Sequence, residues 1–484
     1  IAGEISSENI SLEEIKKEYL EQASVNNETN NNEISTAEWE IYQFEDFFYE
    51  IKDDGTIMII EYINNDNKFV EVPEKIGDRI VTEIGESVFE DKIEMIDVIL
   101  PDSIIYIDEY AFYGCSQLTN INLPSEVEYI GAGAFCKCKS LKCVNIPVKV
   151  KSISSGVFSE CDNLISVNMG NQVTNIGEAA FLFCINLQKV DMSSNLLCIE
   201  GYAFDGCKKL EDIFLSDSII SIGEYAFATC RNLKSISIPR GVKKLEIGTF
   251  INCTGLVIMT MYDNIKIIGD DVFSGCRSLT TVNIPNSVTS MGRYVFYNCN
   301  NIKSIKISNA INNIGMNAFS GCTNLKTVTI PISVKRIESD SFSECSSLTD
   351  IYYSGTQSDW DQIFIGSYNS VLTGASLHCN YISYDGRATT SFLKKSQTEI
   401  EIVTSVREEI PQNCTVIVLG YDKNGILVGY NSEQYLGSDI KSSFNNGLGV
   451  TMVKVLTWYD MDCITPIGET EVLENVDSMD YDMV

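Results

Sequence analysis

One histidine, His378, stands in 484 residues, beside three tryptophans and nine prolines. A catalytic triad, a histidine-rich metal site or a histidine general base is therefore confined to that single position. A lone histidine inside a strand-like segment reads as structural. No GxGxxG or Walker-type loop occurs, which leaves nucleotide chemistry without a cradle for phosphates. No run of 18 or more apolar residues exists, so the chain as given does not span a membrane as a helix. Cations are scarce: 35 Lys and Arg face 67 Asp and Glu, for a net charge of −32. A chain this short of basic residues has no stripe with which to hold phosphates, which excludes nucleic acid and anionic lipid surfaces as partners. The deficit is uneven, since residues 1–97 hold 26 acidic against 7 basic side chains and residues 383–484 hold 16 against 7. A near-neutral middle is flanked by acidic ends.

What is abundant is repetition. Phenylalanine recurs at 89, 112, 135, 158, 181, 204, 227, 250, 273, 296, 319 and 342, a 23-residue step without exception. A cysteine follows each by three, from Cys115 to Cys345, and only the first unit departs, with Lys92. Three residues further comes leucine, replaced by Met95 and Ile302 in two units. The unit then alternates, as in Ile121 and Leu123, the mark of a short strand, often closed by a proline such as Pro124 or Pro285. An apolar pair three apart, such as Val127 and Ile130, and a glycine such as Gly131 complete it. A fixed period near 23 predicts a solenoid whose coils bury their apolar residues against the next coil. Phenylalanine and cysteine should form two buried ladders, beside a sheet roughly 55 to 60 Å long at about 4.8 Å per strand.

Seventeen cysteines would suggest a disulfide framework in a secreted chain. Eleven belong to the ladder, where neighbours point the same way from parallel coils, poor geometry for pairing. They read as small buried hydrophobes. Cys136, Cys143, Cys198, Cys379, Cys414 and Cys463 lie off it and read as exposed or half-buried free thiols. The spacing of Cys136, Cys138 and Cys143 matches no zinc pattern, and no metal or cofactor is expected. Acidic pairs such as Asp270-Asp271 fall in loops, without the concave pocket a glycosidase dyad needs. Asp53-Asp54-Gly55 and Asp422 to Gly425 read as hairpin turns rather than calcium sites. No catalytic residue is assigned.

The pattern IxxIGxxAFxxCxxLxxIxIP, carried by Ile130-Gly131, Ala134-Phe135, Cys138, Leu141, Val144 and Ile146-Pro147, resembles the BspA-like leucine-rich repeat family of bacterial surface proteins over about 81–353. Phe48 to Tyr62 resembles the hairpin that opens such arrays, and Tyr352 to Gly355 with Trp360 and His378 to Tyr381 resembles the segment that closes them. The resemblance implies an adhesin-like protein binding host matrix proteins or other cells. It also fits the absence of a starting methionine at Ile1-Ala2-Gly3-Glu4, which reads as a secretory signal removed and places the protein outside the cell or on its surface.

The fold class expected is mostly β with short irregular or helical turns: a right-handed leucine-rich-repeat solenoid of about 12 coils with end caps, followed by an Ig/Fn3-like β-sandwich. Residues 1–37 form an acidic segment with a short helix at 12–23, begun by the capping box Ser11 to Glu14, and an asparagine-rich linker. Residues 38–84 form a hairpin cap, 85–353 the solenoid and 354–382 a second cap with Trp360 over the last coil. The expected phenylalanine there is Ile365, and the next strand arrives one residue late. Alternating runs in 383–484, among them Cys414 to Tyr421 and Val450 to Tyr459, give the small all-β domain, a spacer or ancillary module.

With chemistry lacking residues, what remains is a surface. The outward positions of each strand form two columns along the sheet, mostly serine, threonine and asparagine. The candidate binding face comprises Asn122, Asn145, Asn168, Phe214, Ile258, Asn283, Thr329 and Tyr352. Polar ladders of this kind also occur as ordinary solvated strand positions, but exposed apolar residues interrupt this one. The reading is a non-catalytic adhesin or recognition protein with a protein or glycan ligand. Two alternatives stand beside it, a structural spacer presenting another module and a carbohydrate-binding accessory protein.

Overall fold

The computed structural model describes residues 41–380 and seven strands between 388 and 474. The helix expected at 12–23 lies outside the described residues. Residues 57–378 wind into a β-solenoid of about 14 turns with almost no helix. Most coils carry two short strands. Cys143–Asn145 and Ser152–Ile153 are one such pair, and each strand joins its equivalent 23 residues on in a parallel ladder. The first ladder is called the front and the second the side.

The interior follows from the repeat. All twelve phenylalanines are fully buried and stack in file, with ring centroids 4.9–5.8 Å apart and planes within 18° of parallel. Each ring touches only the coils on either side, so burial is shared between neighbours and no coil is complete alone. The eleven cysteines form the second buried ladder. Every one directs its thiol at the carbonyl oxygen of the phenylalanine 26 residues earlier, from Cys115 to Phe89 at 3.0 Å to Cys345 to Phe319 at 3.1 Å. Cysteine at this column is thus a small apolar filler that also ties two coils. Off the ladder, Cys136 is buried rather than half-exposed, held beside Ser159, because its coil turns it inward against the next one. Cys143 is exposed, while Cys198 and Cys379 are half-buried. The side chains of Cys414 and Cys463 lie outside the described residues.

Twelve phenylalanine coils become about 14 turns because each end adds one without phenylalanine. At the start Tyr62 continues the stack onto Phe89 at 5.2 Å, and Phe47 packs on Tyr62 at 4.9 Å. Phe47–Ile51 and Ile57–Tyr62 pair antiparallel, then Ile57–Tyr62 joins Arg79–Ile84 in parallel to begin the side ladder. At the far end the 23-residue step places Ile365 in the phenylalanine column, and the structure corrects this. Ile365 pairs with Ile337 in the side ladder at a step of 28. Asn369 falls at the same step of 28 from Ser341, one position before the phenylalanine column, its Oδ1 accepting the Phe342 N–H at 2.9 Å and its Nδ2 donating to the Glu338 and Gly366 carbonyls at 2.8 and 3.0 Å. A side-chain amide therefore replaces the backbone that a further coil would supply. The last front strand, Ser376–His378, pairs with Asp350–Tyr352 at a step of 26, three residues late rather than one. The insertion is absorbed by the two short helices Gln357–Trp360 and Ser370–Gly374. Trp360 stands edge-on to the buried Tyr353 at 5.2 Å.

Beyond the solenoid, Ala388–Lys395, Glu399–Val406 and Ile440–Asn445 form one antiparallel sheet. Thr415–Tyr421, Leu427–Gln434, Met452–Trp458 and Gly468–Glu474 form another.

Candidate binding face

The front ladder presents the two outward columns, and the parallel register decides which residues lie side by side. Asn145 pairs with Asn168 and Asn168 with Asp191, all exposed. Asn122 is exposed at the end of the preceding stretch, one residue past the strand Asn120–Ile121. Ile258 lies between Ser235 and a single bridge to Thr281. Asn283 bridges to Lys306, which pairs with Thr329, then Tyr352, then His378, giving one continuous row. The eight expected residues thus fall into groups: an amide row, two isolated apolar points, and a C-terminal row that His378 and Lys306 complete.

Three features depart from the sequence reading. A strand was expected in every coil, yet residues 211–216 contain none, and the front ladder is open there. The inward residue of that coil, Ile213, is only partly buried, whereas Val190 and Ile236 before and after it are buried. The backbone has moved off the ladder, and Phe214 stands out at 80% exposure. Tyr352 is half-buried rather than free, because His378 stacks on its ring at 4.8 Å. Thr329 is half-buried in the same row. His378 was missed as a member of the face because the late register that puts it beside Tyr352 is not visible in a 23-residue beat.

The electrostatics of the face are mild. Lys189 pairs with Asp191 along one strand at 2.8 Å. His378 Nε2 meets Asp350 Oδ1 at 2.8 Å, and this contact, followed by the Thr349 hydroxyl, holds the Asp350 carboxyl below its ordinary range. Asn168 Oδ1 accepts the Gly170 N–H at 3.1 Å, which fixes the orientation of that amide. Ile258 is 61% exposed.

Depressions lie elsewhere. One of about 670 Å³ is lined by the opening hairpin and Arg79, and one of about 310 Å³ by Glu128, Tyr129, Lys149 and Lys151. Neither contains a front-face residue, so the face is an open surface rather than an enclosing site. Among the described residues no three His, Cys, Asp or Glu are grouped to hold a metal ion, and no helix is long and apolar enough to cross a membrane. Asp270, weighed above as one half of a carboxylate pair, takes the Arg293 guanidinium through both nitrogens at 3.0 and 2.8 Å. Asp271 sits at a left-handed turn position.

No curated protein matches the chain. Among solved structures it is similar to a leucine rich cell surface protein from Faecalibacterium prausnitzii, at 26% identity and TM-score 0.46, over 67% of this chain and 97% of that one. It is also similar to a leucine-rich repeat protein from Bacteroides ovatus, at 22% identity and TM-score 0.43, over 70% and 99%. A third is the pneumococcal vaccine antigen PcpA, at 18% identity and TM-score 0.41, over 71% and 99%. The model of the BspA type leucine rich repeat region, in 6 copies, matches residues 82–211, 176–301 and 248–370. With the repeat matched from 82 to 370 and the coil geometry that it encodes in place, this chain belongs to the BspA-type leucine-rich repeat family.

Proposed function

We propose that the protein is a non-catalytic recognition protein of the bacterial surface or exterior, an adhesin that engages a host matrix protein or another cell through the front face of its solenoid. The observation that supports this best is Phe214, a large apolar side chain 80% exposed on a mostly polar sheet, in a coil whose residues 211–216 form no front strand. An aromatic side chain left in water over a rigid scaffold is what an interface anchor requires. Ile258, two coils further along, gives a second apolar point, and the hydroxyls and amides around them supply a polar rim. The open shape suits a macromolecule better than a small substrate.

The test compares residues 41–380, residues 383–484 and the whole chain against an array of matrix proteins. The reading expects the solenoid fragment to bind, with Phe214→Ala and Ile258→Ser together lowering affinity at least about tenfold. Silence of all three would favour a spacer. Binding unaffected by both substitutions would remove the front face from the reading.

A further inference from the structure

Every phenylalanine of the stack is bracketed by two residues in the left-handed region, one two positions before it and one two positions after. Glycine, asparagine or aspartate holds many of these places, as at Gly133, Gly156, Gly248 and Asn252, because glycine has no Cβ to strain and the short polar side chains of the other two bond locally to the backbone. Phe183, Tyr202 and Tyr225 occupy three of them in neighbouring coils, at φ of 56°, 56° and 55°. None enters the core: Phe183 and Tyr202 are 45% and 37% exposed, and Tyr225 is half-buried. Their rings lie forward along the solenoid. A Cβ at Gly206 would stand 2.3 Å from Phe183 Cδ1, and one at Gly248 would stand 2.3 Å from Tyr225 Cε1. Glycine in the following coil leaves room for each ring. Tyr202 stacks on Tyr225 at 5.0 Å with planes 11° apart. Bulky rings held in strained backbone on the outside of the molecule, where glycine would fit, point to contact rather than to folding.

Carboxylates lie close to the two tyrosines. Glu178, Glu200 and Glu224 lie one or two positions before the same left-handed column. Glu200 accepts the backbone N–H of Glu178 at 3.1 Å. The Tyr202 phenol is held above its ordinary range, first by burial and then by Tyr225, Glu224, Asp205 and Glu178, which sets those carboxylates about the ring. Elsewhere on this ridge the equivalent acids carry their own cations: Glu246 has Lys244, Asp270 has Arg293 at 2.8 Å, and Glu338 has Arg336 at 3.1 Å. Among the described residues Glu178, Glu200 and Glu224 have no lysine or arginine partner.

We propose that this ridge, formed by Tyr202 and Tyr225 with Glu178, Glu200 and Glu224, is a second interaction surface that docks a lysine- or arginine-rich segment of a protein partner. Guanidinium and ammonium groups are attracted to aromatic rings and to carboxylates alike, and here both are present without an internal cation. A neutral glycan would use the rings but leave three carboxylates unanswered. An anionic one would be repelled.

The whole chain is titrated with a poly-arginine peptide at physiological salt, by calorimetry. Three double variants are compared: Tyr202→Gly with Tyr225→Gly, Glu178→Gln with Glu224→Gln, and Glu61→Gln with Glu86→Gln as a remote pair with the same change of charge. Glycine suits the left-handed backbone at 202 and 225, so the first variant is expected to keep its Tm or raise it. Both ridge variants are expected to bind about tenfold more weakly, and the remote pair to change by less than about twofold. Equal losses in all three would reduce the effect to the acidity of the whole molecule and overturn the proposal. So would binding of a neutral oligosaccharide that needs Tyr202 and Tyr225 while the peptide is indifferent to them.

Discussion

At the scale of single residues, the coil is set by two requirements of opposite kind. Left-handed φ at two fixed positions per coil favours residues without a Cβ, and so Ala179, at φ 53°, is misplaced by its own side chain. Ala179→Gly is expected to raise stability by up to about 1 kcal/mol, strain relief exceeding the added backbone freedom of the unfolded chain. The glycines that directly follow an inward apolar pair, such as Gly131, Gly177 and Gly223, obey a different rule. A Cβ at Gly223 would stand 2.5 Å from the Gly201 backbone nitrogen, although φ there is ordinary. Gly223→Ala is expected to cost about 1 to 3 kcal/mol by pushing two coils apart. Denaturant midpoints of the two variants should therefore move in opposite directions, and movement in the same direction would undo this division of the glycines. The sequence showed the column of Gly131, Gly177 and Gly223 but not its reason. The left-handed columns were not legible at all, since tyrosine, lysine and glutamate occupy them as well as glycine.

At the scale of elements, the ends decide whether the repeat is stable, because an end coil has an unpaired neighbour on one side. Asn369 is 4% exposed and satisfies three backbone groups of the last coil. Asn369→Ala would leave the buried Phe342 N–H without a partner, while the Glu338 carbonyl keeps the Ser341 hydroxyl at 2.7 Å, at a cost of about 1 to 3 kcal/mol. Hydrogen exchange should show the loss first in the coils of Phe319 and Phe342. Loss spread evenly to the coil of Phe89 would contradict a local role.

The opening end carries a titrating device. The Lys52 ammonium of the hairpin reaches Glu83 of the first side strand and lies 5.3 Å from the Tyr106 ring. Asp108, beside them, has its carboxyl raised to about 6, by burial first and then by Glu83. Lys52 opposes that rise, and Glu109 adds to it. With a raised pKa the folded chain keeps a proton that the unfolded chain has released between about pH 4 and 6. The contribution of this group therefore falls as pH rises through that window and stays low above it. After allowance for solvent screening, Asp108→Asn is expected to gain about 1 kcal/mol near pH 7.5 and nothing near pH 4. A gain independent of pH in denaturant unfolding would show that the charge is not its source.

At the scale of the whole molecule, the phenylalanine stack makes stability a property of neighbours. Phe204 is fully buried between Phe181 at 5.2 Å and Phe227 at 5.4 Å. Phe204→Ala removes contacts from three coils at once and is expected to cost about 3 to 5 kcal/mol. Protection from hydrogen exchange should fall together at the coils of Phe181, Phe204 and Phe227, and then recover with distance along the array. A change under about 1 kcal/mol would refute the buried spine.

By itself the sequence determined the solenoid, its two buried ladders and the polar columns of its sheet, because a 23-residue beat without insertions forces every coil into the same environment. One phenylalanine in the right place implies twelve. Tertiary structure alone decided what breaks that equivalence. The step of 26 that stacks His378 on Tyr352, the opening of the ladder at Phe214, the placing of Asn369 under Phe342 and the laying of Tyr225 over Gly248 all depend on which residue of one coil meets which residue of the next. A period fixes what each coil buries, but contacts between coils arise from register and from side-chain direction. Neither is written in any single coil.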